Sequence, residues 1–74
     1  MNKSRRDRII AINDKIADLR DELDNIRDEE QEYFDNIPDS LKTSDRASES
    51  EDIINQLESA ISSLENAFEE TNID

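Results

Sequence analysis

Apolar residues recur along this chain at alternating steps of three and four, and a single proline divides the series in two. Before the proline the series runs Ile9, Ile12, Ile16, Leu19, Leu23, Ile26, Glu30, Tyr33 and Ile37; after it, Ala47, Ser50, Ile54, Leu57, Ile61, Leu64 and Phe68. Such spacing is the a/d repeat of helices that pack side by side, with Glu30 as a polar interruption. No glycine is present, so the chain has few routes to tight turns or phosphate-cradling loops, while its Ala, Leu, Glu, Arg and Lys content suits helices.

Boundaries follow from local chemistry. Pro38 lacks an N–H and drives the residue before it out of helical geometry, so the first helix is expected over about 3–36. Ser44 can cap a second helix over about 45–70, with Ser48 and Glu51 as a competing capping-box start, which leaves a loop over about 37–44. The expected fold is all-α: an antiparallel two-helix coiled-coil hairpin that completes a helical bundle by self-association.

Register can also be read. With Glu30 opposite Ser50, Ile26 faces Ile54, Leu23 faces Leu57, Leu19 faces Ile61, Ile16 faces Leu64 and Ile12 faces Phe68. The polar residues of the two seams then share one layer, a device that fixes register at some cost in stability. On the flank the same alignment brings Arg27 toward Glu51 and Arg20 toward Glu58. Lys3, Arg5, Arg6 and Arg8 come beside Glu69, Glu70 and Asp74.

Charge is uneven. Residues 1–20 hold six basic and three acidic side chains, and residues 21–74 hold three basic and eighteen acidic, giving +3 and −15, or −12 for the whole chain. A surface this acidic repels nucleic acid over most of its length, so direct nucleic-acid binding is not expected. There is no cysteine and no histidine, which removes disulfides, thiol nucleophiles, histidine bases and the usual zinc ligands. No basic residue lies near Ser59, Ser62 or Ser63 to activate them, and an enzyme is not expected. No cofactor is expected either. Asp28, Glu29, Glu30, Glu32, Asp35 and Asp39 gather near the loop without the glycine or spacing of a calcium loop, so they read as a solvated face. The basic residues within Met1 to Arg8 are not followed by an apolar run long enough for a signal peptide or a membrane span, and a cytoplasmic location is expected.

Four surfaces stand out as candidate contacts. Asp14, Asp21, Asp28 and Asp35 share one outward heptad position, with Asp18 and Glu32 on the neighbouring row and no balancing outward bases. Carboxylates in a row lie about 10 Å apart along the axis. The ribbon suits a protein partner with a basic surface, including one that normally holds nucleic acid; its plainer reading is a solubilising surface. Tyr33 and Phe34 precede the loop, where they either pack over Leu41 as a plug or offer an aromatic contact to a partner. Arg5, Arg6 and Arg8 form an alternative anion site. Ile53, Ala60 and Ala67 recur every seven residues beside the second seam and widen its apolar face, so they mark a self-association surface unless the stems of Lys15, Glu22 and Glu29 cover them.

The run Asp28-Glu29-Glu30-Gln31-Glu32-Tyr33-Phe34-Asp35-Asn36-Ile37-Pro38, followed by Leu41, Ser44, Arg46, Leu57-Glu58 and Ala60-Ile61, resembles small acidic helical proteins encoded by bacteriophages and mobile elements. This resemblance covers the second half of the first helix through the middle of the second, and it rests on a loop-and-cap pattern. It implies a phage or prophage setting, in which small acidic proteins block host defence or nucleic-acid enzymes.

Three functions remain in play. The first is a non-catalytic acidic inhibitor or scaffold acting on a protein partner. The second is an oligomer that sequesters a phosphate-bearing small molecule through Arg5, Arg6 and Arg8, and the third is a structural helper in assembly.

Overall fold

The structure is a computed structural model that describes residues 1–73. It consists of α1 (Lys3–Asp35), a short 3-10 turn (Asp39–Leu41) and α2 (Asp45–Glu70). The two long helices pack along one another as a hairpin measuring 60 × 14 × 14 Å. No helix is long and apolar enough to cross a membrane.

Both helices begin on a side-chain cap. Asn2 accepts a hydrogen bond from the Arg5 backbone N–H at 2.9 Å, and Ser44 accepts one from the Ala47 N–H at 3.3 Å. Each satisfies a backbone donor that the first helical turn leaves open. α1 closes at Asp35, one residue short of the expected end, with Asn36 as its C-cap. Two residues on, Pro38 is extended at φ −56° and ψ 143° and leads into the 3-10 turn. Thr71 ends α2, its hydroxyl donating to the Ala67 carbonyl at 2.8 Å.

Register is fixed by polar layers near either end of the hairpin. Near the loop the Ser50 hydroxyl donates to the Glu30 carboxylate at 2.7 Å, the layer expected from the two polar interruptions. Near the open end Asn13 Nδ2 donates to the Phe68 carbonyl at 2.7 Å and to Thr71 Oγ1 at 2.9 Å. Between them Ile54 and Ile61 are buried, at 6% and 9% exposure, as is Ala47 beyond Ser50.

The seam of α1 differs from the expected one. Of the described residues, none in α1 is buried, and Ile12, Leu19, Ile26 and Tyr33 are between 45% and 52% exposed. Half-buried instead are Ile9, Ile16, Leu23 and Glu30, with Ile37 just beyond the helix, together with Asn13, Arg20, Arg27 and Phe34 and the further row Ile10, Ala17, Asp24 and Gln31. α1 is therefore rolled about its axis, so that one row of the heptad seam turns partly outward and the row on the opposite flank turns in. The long stems of Arg20 and Arg27 make the roll possible, because they cover apolar surface while the guanidinium ends reach carboxylates at the surface, although Arg27 Nε is itself buried without a partner.

The flank pairs shift with it. Arg27 reaches Glu58 at 3.6 Å rather than Glu51. Arg20 does not pair with Glu58; it holds Asp21 at 3.1 Å and lies 5.9 Å from the centre of the Phe68 ring. Among the described residues Lys3, Arg5, Arg6 and Arg8 form no ion pair with Glu69 or Glu70, and Asp74 lies outside the described residues.

Candidate functional site

An unbroken helix of 33 residues carries the acidic ribbon, so its side chains keep fixed spacing. Asp14, Asp18, Asp21, Asp28, Glu32 and Asp35 are all exposed. The ribbon is less bare than its sequence suggests. Arg20 turns outward onto Asp21, and Arg27 Nη2 bridges Asp24 at 2.8 Å and Asp28 at 3.0 Å. Asp35 accepts from Gln31 at 3.0 Å. The side chains of Asp21 and Asp28 nevertheless remain 67% and 64% exposed, so most of their surface faces water. Among the described residues Asp14, Asp18 and Glu32 make no ion pair. No grouping of three or more potential metal ligands occurs among the described residues.

At the loop the two aromatics part company. Tyr33 joins Ile37, Pro38, Leu41 and Arg46 around an open cavity of about 440 Å³. Phe34 lies on another side, half-buried, with the Lys42 ammonium 5.4 Å from its ring centre. Leu41 stays 54% exposed, so the expected plug of both aromatics over Leu41 does not close.

The open end of the hairpin brings Arg5 and Arg8 together. Both line a cavity of about 380 Å³ whose remaining walls are Met1, Ile9, Ile12 and Thr71. Arg6 is not among its lining residues. The concavity is thus mostly apolar, with Arg5 and Arg8 contributed by the first turns of α1.

Along the side of the hairpin Ile53, Ala60 and Ala67 are only partly covered. The roll of α1 sets Ile12, Leu19, Ile26 and Tyr33 beside them. Tyr33 and Ile53 face one shallow cavity of about 250 Å³ with Arg46, Glu49, Glu30 and Ser50. Counting from the Glu30–Ser50 and Asn13–Phe68 layers places Ile53 within one to two residues of the level of Ile26, Ala60 of Leu19 and Ala67 of Ile12. Lys15, Glu22 and Glu29, whose stems were the alternative cover, are all exposed.

Sequence reasoning missed Asn13 and the outward turn of Ile12, Leu19 and Ile26. A signal was present: Asn13, Arg20, Arg27 and Phe34 recur every seven residues, and three of them combine a polar head with surface able to lie against a neighbouring helix. Comparison of the chain with protein-family models, with curated proteins and with solved structures gives no match.

Proposed function

We propose that this chain is a non-catalytic interaction protein whose acidic row on α1 docks on a basic protein surface, and that it acts as an inhibitor of a nucleic-acid-binding or host-defence protein in a phage-type, cytoplasmic setting. The observation that carries the reading is the exposure of all six carboxylates of the row on one continuous helix. Fixed charges at regular spacing complement a basic channel without having to be ordered on binding, and they speed encounter with it. Arg20 and Arg27 do not cancel the row, because exposed pairs of this kind are worth only about 0–1 kcal/mol and leave the carboxylates hydrated.

The test begins with affinity capture from host cells and identification of the captured protein by mass spectrometry. Replacing Asp21, Asp28 and Asp35 together with Asn is then expected to weaken binding of that partner by at least about tenfold, on the order of 1.4 kcal/mol. Helicity is expected to stay intact, since surface changes shift stability by within about 0.5 kcal/mol each. Binding by the wild type is expected to fall as salt rises. Full binding by the triple Asn variant would show the row to be a solvated surface alone.

A second reading is favoured by one observation, the meeting of Arg5 and Arg8 in the cavity at the open end. Guanidinium groups recognise phosphate oxygens in a planar, two-pronged manner, and apolar walls suit a base or an acyl group. Under this reading the protein sequesters a phosphate-bearing small molecule, nucleotides raise its melting temperature, and Arg5, Arg6 and Arg8 changed to Gln abolish that rise.

A further inference from the structure

We infer that the side of the hairpin formed by Ile12, Leu19, Ile26 and Tyr33 of α1 and Ile53, Ala60 and Ala67 of α2 is covered by a second copy of this chain, related by a two-fold axis perpendicular to the bundle at the level of Leu19. The inference does not rest on the acidic row, which lies on the outward face of α1.

The first support is the exposed stripe itself. Four large side chains about half open to water run for about 32 Å along α1. The hairpin buries only Ala47, Ile54 and Ile61 as apolar core among its described residues. Chains this small seldom stand alone on so little core, and a stripe of this length marks a contact.

Charge along the edge of the stripe selects the occupant. Arg8, Lys15, Glu22 and Glu29 each precede a stripe residue by four, which sets them beside Ile12, Leu19, Ile26 and Tyr33 on the helix surface. Two bases are therefore followed by two acids along one edge. An antiparallel copy of the same helix, centred on Leu19, brings Arg8 to the partner's Glu29 and Lys15 to the partner's Glu22. Ile12 then meets the partner's Ile26, Leu19 meets its own equivalent, and Arg5 reaches the ring of the partner's Tyr33, a cation over an aromatic face. A parallel copy would set Arg8 against Arg8, Lys15 against Lys15 and acid against acid, which opposes that arrangement.

α2 agrees with this to within about half a helical turn. Its own apolar row is centred on Ala60, which the register of the hairpin places within one to two residues of the level of Leu19. The axis that pairs α1 with α1 therefore also pairs Ile53 with the partner's Ala67 and lays Ala60 against itself, where the small side chain lets the backbones approach. Each helix then has antiparallel neighbours on both sides, the arrangement of a four-helix bundle.

The chain has no cysteine, so introduced cysteines report the contact directly. Under mild oxidation Leu19→Cys is expected to form a covalent dimer rapidly. Ile12→Cys alone is expected not to, because its equivalents lie about 21 Å apart along the axis, but Ile12→Cys mixed with Ile26→Cys links. Lys15→Glu, on an exposed side chain, is expected to keep the hairpin helical and weaken the dimer by about tenfold, with recovery in Lys15→Glu/Glu22→Lys. Efficient self-linking by Ile12→Cys would overturn the two-fold arrangement. So would an unchanged dimer in Lys15→Glu, or sedimentation of the wild type as a single 8.6 kDa chain at about 100 µM. Asp21, Asp28 and Asp35 take no part in this edge, so the triple Asn variant is expected to stay dimeric whatever its effect on partner binding.

Discussion

Ser50 is 3% exposed and its hydroxyl has the Glu30 carboxylate 2.7 Å away, so one short hydrogen bond carries the polar layer near the loop. Glu30 is only half-buried and keeps contact with water, which spares it most of the desolvation penalty a fully buried carboxylate would bear. Ser50→Ala is expected to lower stability by about 1 kcal/mol, the worth of a bond to a charged group less the water that replaces it. Glu30→Leu combined with Ser50→Ala is expected to reverse that loss and exceed the wild type by about 1–2 kcal/mol, while loosening the choice of register. Urea denaturation of the two variants checks both statements, and a double variant less stable than Ser50→Ala would contradict the second. This layer was legible in the sequence because both seams are interrupted at the same height. The Asn13 layer was not. Asn13 sits off the apolar repeat, and only the roll of α1 brings it under the Phe68 carbonyl.

At the scale of the helices, the repeat of three and four located α1 and α2, and cap chemistry at Ser44 and Pro38 placed their ends within a residue. What the repeat could not convey is the roll of α1. An a/d count treats Ile12 and Ile16 as equals, yet which row turns toward α2 depends on whether the opposite flank can also pack. Arg20 and Arg27 can, through their stems, and Arg27 adds a reach to Glu58. The site candidates divide along the same line. Outward carboxylates were readable from heptad position alone, whereas the split of Tyr33 from Phe34 and the stripe beside Ile53 needed the roll. α2 depends more on its cap than α1 on any single group, because it begins directly after an irregular loop. Ser44→Ala is expected to cost about 1 kcal/mol and to fray the first turn of α2, read as faster amide exchange at Ala47 and Ser48. Unchanged exchange there would mean that packing of Ala47, fully buried beneath that turn, holds the turn unaided.

For the whole molecule, net charge and assembly pull against each other. Each chain carries −12, so pairing two of them concentrates like charge, while the edges at Arg8, Lys15, Glu22 and Glu29 supply local attraction. Salt separates the two effects. Repulsion summed over many exposed carboxylates acts over distances beyond the Debye length of about 10 Å at 0.1 M, and is screened first; neighbouring opposite charges at the interface are screened less. Melting temperature at fixed protein concentration is therefore expected to rise as sodium chloride goes from about 10 to 150 mM and then to level off, the range over which that screening length contracts. A steady fall instead would show that ion pairs such as Arg27–Asp28 outweigh the net repulsion. At fixed salt the dimer adds its own signature, because unfolding that releases two chains is opposed by mass action. A pair of such chains has an unfolding enthalpy on the order of 100 kcal/mol, taking about 0.7 kcal/mol per residue, so a tenfold rise in concentration is expected to lift the melting temperature by about 5 °C. Circular dichroism melts across two decades of concentration measure that slope. A melting temperature that does not move with concentration, together with a rise on adding salt, would describe a hairpin that is self-repelling but solitary, and would leave the stripe from Ile12 to Tyr33 without its partner.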